Sequence, residues 1–213
     1  MKKLMYGILM SALVLTIAAS VLGAETKMKP SASELKKMST FLSNFTEQGF
    51  MVFDIEADGA DEPLHLGAPD AVSDLIRFGI RHNYINNFKS RVAKCETKDC
   101  QYGSLVIDGK YVAESVKKYF DLDLKNQSAM EGDPPYFYDG KLYHFEGADG
   151  EATYYAQVKE VFKDGNVLRM TGELYNADDE SERPAVFEAT AKPYKFGGKE
   201  TWAILSMNVI WND

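Results

Sequence analysis

This chain is poor in the side chains that most often carry chemistry. Its 213 residues include two cysteines, three histidines and two tryptophans. The histidines, His65, His82 and His144, stand in three separate segments. There is no Gly-x-Ser-x-Gly elbow, no paired-histidine helix, no Gly-Lys phosphate loop and no dinucleotide fingerprint. Those absences leave no legible reaction centre and no expected cofactor or metal. A Ser/His/Asp arrangement can still assemble in space, because triads are recognised by geometry. Positive charge is scarce as well: 24 Lys and Arg face 32 Asp and Glu, for a formal charge of −8. Such a chain repels phosphate backbones and anionic bilayers, which excludes nucleic acid and disfavours membrane surfaces. The acidic excess serves solubility first and a basic partner second.

Long apolar runs are absent after the first 24 residues. Within them, Lys2 and Lys3 precede an uncharged stretch centred on Ile8, Leu9, Leu13, Val14, Leu15 and Ile17. Small residues close it, so cleavage after Gly23 or Ala24 fits a signal peptidase. A span of this length could also cross a bilayer. Tyr6, Ser11, Thr16 and Ser20 interrupt it, however, and no basic stop-transfer cluster follows, which favours a cleaved signal over an anchor. No cysteine near the junction offers lipid attachment. The expected product is an exported, periplasmic or secreted chain with no stable membrane anchor. Its length of about 190 residues suits one domain. Losing Lys2 and Lys3, with no acid, makes it more acidic by two charges.

Cys95 and Cys100 lie in the loop-like stretch AKCETKDCQYG. An oxidising destination predicts a structural disulfide closing a small ring. Redox-active pairs usually enclose two residues, whereas four separate these, and Glu96 and Asp99 disfavour a thiolate. A metal site would need further His or Cys, and none follows locally.

The pattern divides into a helical part to about residue 123 and a strand-rich part from about 135. Ser31-Ala32-Ser33-Glu34 forms a capping box, followed by Leu35, Met38, Leu42 and Phe45 on one face. A second helix is expected from Pro69-Asp70, with Val72, Leu75, Ile76, Gly79 and Ile80 as its stripe and Asn86-Asn87 as its end. Asp108 caps a third, lined by Val112, Val116, Tyr119 and Phe120. Turns at Asp139-Gly140, Asp164-Gly165 and Gly197-Gly198 then predict an antiparallel meander of about six strands. The fold expected is one α+β domain over residues 25–213, with N-terminal helices packed on that meander.

Candidate sites are few. Arg77 and Arg81 lie one helical turn apart and could hold a carboxylate between them, beside His82; pairing with the protein's own acids is the plainer reading. The aromatic run of Tyr136, Tyr138, Tyr143 and Tyr154 could line a carbohydrate or peptide groove, about half of it belonging to the core. Asp54–Gly59 and Glu146–Glu151 have calcium-like acidic spacing, but His65 occupies the position where an EF-hand needs a bidentate acid.

The segments FLSNF, LIRFGIRHNYINN and DGKYVAESVKKYF, continued by YFYDGKLYHFEGADGE, resemble a family of uncharacterised exported bacterial domains. The resemblance covers most of the chain after residue 24. It implies bacterial export and carries no activity, cofactor or site residue. Members are often lipoproteins, a feature this chain does not share. The expected function is a non-catalytic binding or interaction domain of the envelope, with an envelope or extracellular protein, peptide or glycan as partner. Two alternatives stand beside it: a hydrolase built on His82 or His144 with acids, and an acidic inhibitor of a basic enzyme.

Overall fold

Helix ends and hairpin turns follow the local chemistry of the sequence. A computed structural model describes residues 25–55, 64–68, 71–96, 100, 102–128, 135–147 and 153–212. The export segment, the Pro69-Asp70 helix start and most of both acidic loops lie outside these residues. In chain order the elements are β1 (Thr26–Lys27), α1 (Ala32–Thr46), β2 (Val52–Asp54), β3 (Leu64–His65), α2 (Val72–Arg91), β4 (Val92–Lys94), β5 (Leu105–Asp108) and α3 (Gly109–Phe120). The strand-rich part holds β6 (Tyr136–Tyr138), β7 (Leu142–Phe145), β8 (Tyr154–Asp164), β9 (Val167–Asn176), β10 (Ala185–Phe196) and β11 (Lys199–Trp211). No helix among the described residues is long and apolar enough to cross a membrane.

At the start of α1 the Glu34 N–H donates to Ser31 Oγ at 3.3 Å, and the Ser31 N–H donates to the Glu34 carboxylate at 2.7 Å. Both orphan donors are thereby satisfied. Asp108 caps α3 by accepting from the Lys110 N–H at 2.9 Å. The second helix runs past its expected end. Asn87 leaves helical geometry at φ −132°, ψ 18°, yet the helix resumes to Arg91. Tertiary contacts hold that last turn: the Arg91 guanidinium meets Glu114 at 2.8 Å and lies over the Tyr111 ring.

The fold is α+β, with three helices and two sheets among the described residues. The larger sheet has the order β1-β8-β9-β10-β11-β2-β3. Its core face alternates cleanly, as Ala185, Phe187, Ala189 and Ala191 on β10 illustrate. Small alanines there leave room for Met38, Phe41, Leu42 and Phe45 of α1, which belong to the same cluster. Pro193 falls beyond the stretch of β10 that β9 pairs, where its missing N–H disrupts no ladder on that side.

The meander itself differs from expectation. All three hairpins form, but β6 and β7 join β4 and β5 in a separate four-stranded sheet, ordered β4-β5-β7-β6. Strands of three or four residues present too little alternation to announce their sheet partner. A second core cluster covers one face of this sheet, built from Ile76, Ile80, Ile107, Val112, Tyr136, Tyr143 and Phe145. Helices α2 and α3 serve both clusters: Leu75, Phe78, Val116 and Phe120 enter the first, Ile76, Ile80 and Val112 the second. Their close approach depends on Gly79, where a Cβ would stand 2.8 Å from the Val112 carbonyl oxygen. Buried Asn83 fastens the pair, donating to the Gly79 carbonyl, the Tyr111 carbonyl and Ser115 Oγ.

Candidate functional site

The four-stranded sheet carries different chemistry on its two faces, because β7 alternates Tyr143, His144, Phe145. Tyr143 and Phe145 turn toward the helices, and His144, paired with Val106 and Phe137, turns the other way.

On the helix side lies a small cavity between α2 and the sheet. It encloses about 40 Å3 and is lined by Arg77, Ile80, Arg81, Tyr84, Ile85, Tyr136, Phe145 and Glu146. Arg77, Arg81 and Tyr136, selected from the sequence, thus meet in one place. The Arg77 Nη1 donates to Asp74 at 2.8 Å, while its buried Nε has no hydrogen-bond partner. Glu146 is occupied elsewhere, accepting from the Ser104 N–H and hydroxyl at 2.8 and 2.9 Å. The Tyr136 hydroxyl donates to the Ser73 carbonyl, so its ring serves as floor. Exposed Ile85 and Phe88, each 44% accessible, extend the apolar rim along α2. Two larger depressions flank α1, with linings proportionally more polar than that of this cavity.

The remaining selected residues are dispersed. His82 is 5% exposed and faces the other cluster, stacked on Phe78 and against Tyr119. Burial, then Lys118 and Arg91, push its pKa down to about 3. It packs as a core ring, apart from both the cavity and the two cysteines. Tyr143 is fully buried, and burial drives its hydroxyl well above the usual phenol range. Tyr138 packs on Tyr143 and donates to the Gly140 carbonyl. Tyr154 stands on the larger sheet against Trp211. The expected aromatic groove therefore does not form: these rings belong to two sheets, and two of them are core.

The outer side of the small sheet brings together Cys95, Cys100, His144 and Asp139. Cys95 directly follows β4, and its N–H donates to the Ser104 carbonyl at 2.8 Å, continuing the ladder. Gly103, at φ 126°, lets the loop press against β7, where a Cβ would sit 2.1 Å from the Phe145 carbonyl. No other residue fits that approach. As a result Cys100 Sγ lies 3.2 Å and Cys95 Sγ 3.6 Å from His144 Nδ1. The two sulfurs are about 3.1 Å apart and no disulfide joins them. The disulfide expected from the sequence is therefore not formed in this structure, since an S–S bond measures about 2.05 Å. The imidazole placed against both sulfurs supplies an alternative partner.

On the far side of the ring, His144 Nε2 stands 3.0 Å from Asp139 Oδ2. The other carboxylate oxygen of Asp139 accepts from the N–H groups of Lys141 and Leu142 at 2.8 and 2.7 Å. This Asx-type turn is what the Asp-Gly hairpin contributes to the site. Hydrogen bonds from His144 and Leu142 hold the Asp139 carboxyl down to about 2 despite some desolvation. For His144, desolvation lowers the pKa, but hydrogen bonds with Asp139 and Cys95 outweigh it and leave it raised. The Cys95 contact, then desolvation, push the Cys100 thiol up. With Nε2–H given to Asp139, neutral His144 turns the Nδ1 lone pair toward both sulfurs.

Cys100, His144 and Asp139 thus stand in nucleophile–base–acid order, as the hydrolase expectation at His144 requires. Two features weigh against such chemistry. The raised Cys100 pKa disfavours the thiolate, and Cys95 crowds the sulfur that would attack. Local sequence could not reveal the cluster, because His144 reaches the cysteines only through the register of β5 with β7. Compared with family models, curated proteins and solved structures, the chain matches none.

Proposed function

We propose that this chain is an exported, non-catalytic interaction domain of the bacterial envelope, which anchors a carboxylate-bearing side chain of a peptide or protein partner. The carrying observation is the convergence of Arg77 and Arg81 on one cavity floored by Ile80, Tyr84, Tyr136 and Phe145. Its volume, far below the roughly 300–1,000 Å3 of a drug-sized site, suits an anchoring group. The buried Arg77 Nε supplies a donor lacking a partner, and such a donor gains from a charge-assisted bond. Ile85 and Phe88 give the partner an apolar surface beside the anchor. Export rests on the N-terminal pattern of residues 1–24.

Labelled peptides of one apolar frame, differing only by Glu, Gln or Lys at a central position, test the reading by fluorescence anisotropy. The Glu peptide is expected to bind at least about tenfold tighter than the others. Arg81→Gln should erase that preference without changing the melting temperature. Equal affinity for all three peptides would sink the anchor.

A further inference from the structure

The Cys95–Cys100–His144 cluster lies on the opposite side of the sheet and has no part in the anchor pocket. We propose that it is a binding site for a soft d10 cation, zinc(II) in particular, held by two thiolates and His144 Nδ1. The three ligand atoms lie within 4.8 Å of one another. A tetrahedral zinc with bonds of about 2.3 Å to sulfur and 2.0–2.1 Å to nitrogen needs ligand separations of roughly 3.5–3.8 Å. The separation of 3.6 Å already lies in that range, and those of about 3.1 and 3.2 Å reach it by a small outward shift of the Cys100 sulfur.

Several observations carry the assignment beyond the presence of two cysteines. The donors come from three places in the chain: the end of β4, the following loop and β7. His144 is 8% exposed, so its orientation is set by packing. Its second nitrogen meets a carboxylate at 3.0 Å, the outer arrangement that fixes the tautomer and orients metal-bound imidazoles. That carboxylate is itself tied down by two backbone N–H groups. The half-buried cysteines leave the fourth position to water. Tetrahedral edges are shorter than those of a three-coordinate copper(I) site, so the compact cluster favours zinc. Binding converts two thiols to thiolates and releases two protons to solvent; no electron is transferred.

The test uses the reduced full chain without oxygen, titrated with zinc(II) against a chromophoric chelator, with cobalt(II) and copper(I) as parallel probes. One equivalent of zinc should bind, about two protons should appear per zinc, and cobalt(II) should show thiolate charge-transfer absorption. Cys100→Ser and Cys95→Ser should each weaken zinc by about 100-fold or more, and Asp139→Asn by about tenfold. Should His144→Gln fail to fold, the Cys95→Ser/Cys100→Ser double variant, with its melting temperature measured without metal, carries the comparison. Bound zinc should also slow air oxidation of the pair. Zinc affinity unchanged by the cysteine substitutions overturns the proposal, as does disulfide formation at the same rate with and without zinc. Copper(I) binding with no zinc binding overturns the choice of zinc. Because the peptide assay above involves neither sulfur nor His144, the two readings fail separately.

Discussion

The two sheets of this protein divide its work. The larger one has strands of 10 to 13 residues in β8–β11, one face buried under α1, and an aromatic cluster centred on Phe45. Its polar groups are largely surface ion pairs, such as Arg169 with Glu25 and Glu188. The smaller sheet has strands of three or four residues in β4–β7, yet both the arginine-lined cavity and the Cys/His/Asp cluster sit on it. Extent of burial and chemical capacity are thus separated. A broad apolar face supports the fold, whereas a short sheet with both faces engaged can position a few polar groups against one another.

Removing the centre of the larger cluster should have the greatest effect. Phe45 is fully buried and packs against Phe41, Phe53, Phe78, Tyr119 and Phe120. Phe45→Ala should cost about 3–5 kcal/mol in urea denaturation, unfolding both sheets together if α2 and α3 couple them. Separate transitions for tryptophan fluorescence, reporting Trp202 and Trp211 on β11, and for amide exchange in β5 would break that coupling.

A change confined to the smaller sheet should be milder and local. Gly103→Ala places a side chain at φ 126° and against the Phe145 carbonyl, a strain of up to about 3 kcal/mol. Amide exchange at Cys95 and in β5 should accelerate more than in β9 and β10. Uniform acceleration across both sheets would contradict a division between them.

His82 probes the seam where α2 meets the larger cluster. The native state keeps it neutral, with its pKa at about 3, while the unfolded chain takes up a proton below about pH 6.5. Stability from this group is complete above 6.5 and is lost as pH falls toward 3. Between pH 8 and pH 5 the wild-type chain should lose about 2 kcal/mol more than His82→Phe, which keeps the ring packing without the titration. The carboxylates held low in the native state, Asp139 and Asp121 among them, lose stability in the same direction. They are common to both proteins and cancel in the difference. Parallel pH profiles would show that His82 is not excluded from protonation.

Legibility in the sequence follows the range of each interaction. The Ser31–Glu34 box, the Asp108 cap and the three hairpin turns were all readable, because each depends on residues within four positions of one another. The alternation of β10 was readable because twelve residues suffice to display a period of two. The assignment of β6 and β7 to their own sheet was not, since Tyr136–Tyr138 reads equally well as part of one long meander. The candidate residues show the same limit. Arg77 and Arg81 stand out by their helical spacing, but the cavity beside them requires Tyr136 and Phe145 to arrive from a distant part of the chain. Local spacing shows no metal site, because no ligand follows the cysteines nearby and His144 lies 44 residues beyond Cys100.

By itself, then, the sequence determined where helices begin, where strands reverse, which faces are apolar, and that an acidic α+β chain follows an export-like segment. These are consequences of backbone hydrogen bonding and side-chain periodicity, which act over a few residues. Only the tertiary structure decided which short strands share a sheet and which face of it each donor occupies. The register of β5 with β7 and the close approach at Gly103 bring two thiols, an imidazole and a carboxylate into contact. That approach depends on packing between distant segments, where a tenth of a nanometre separates a bond from its absence.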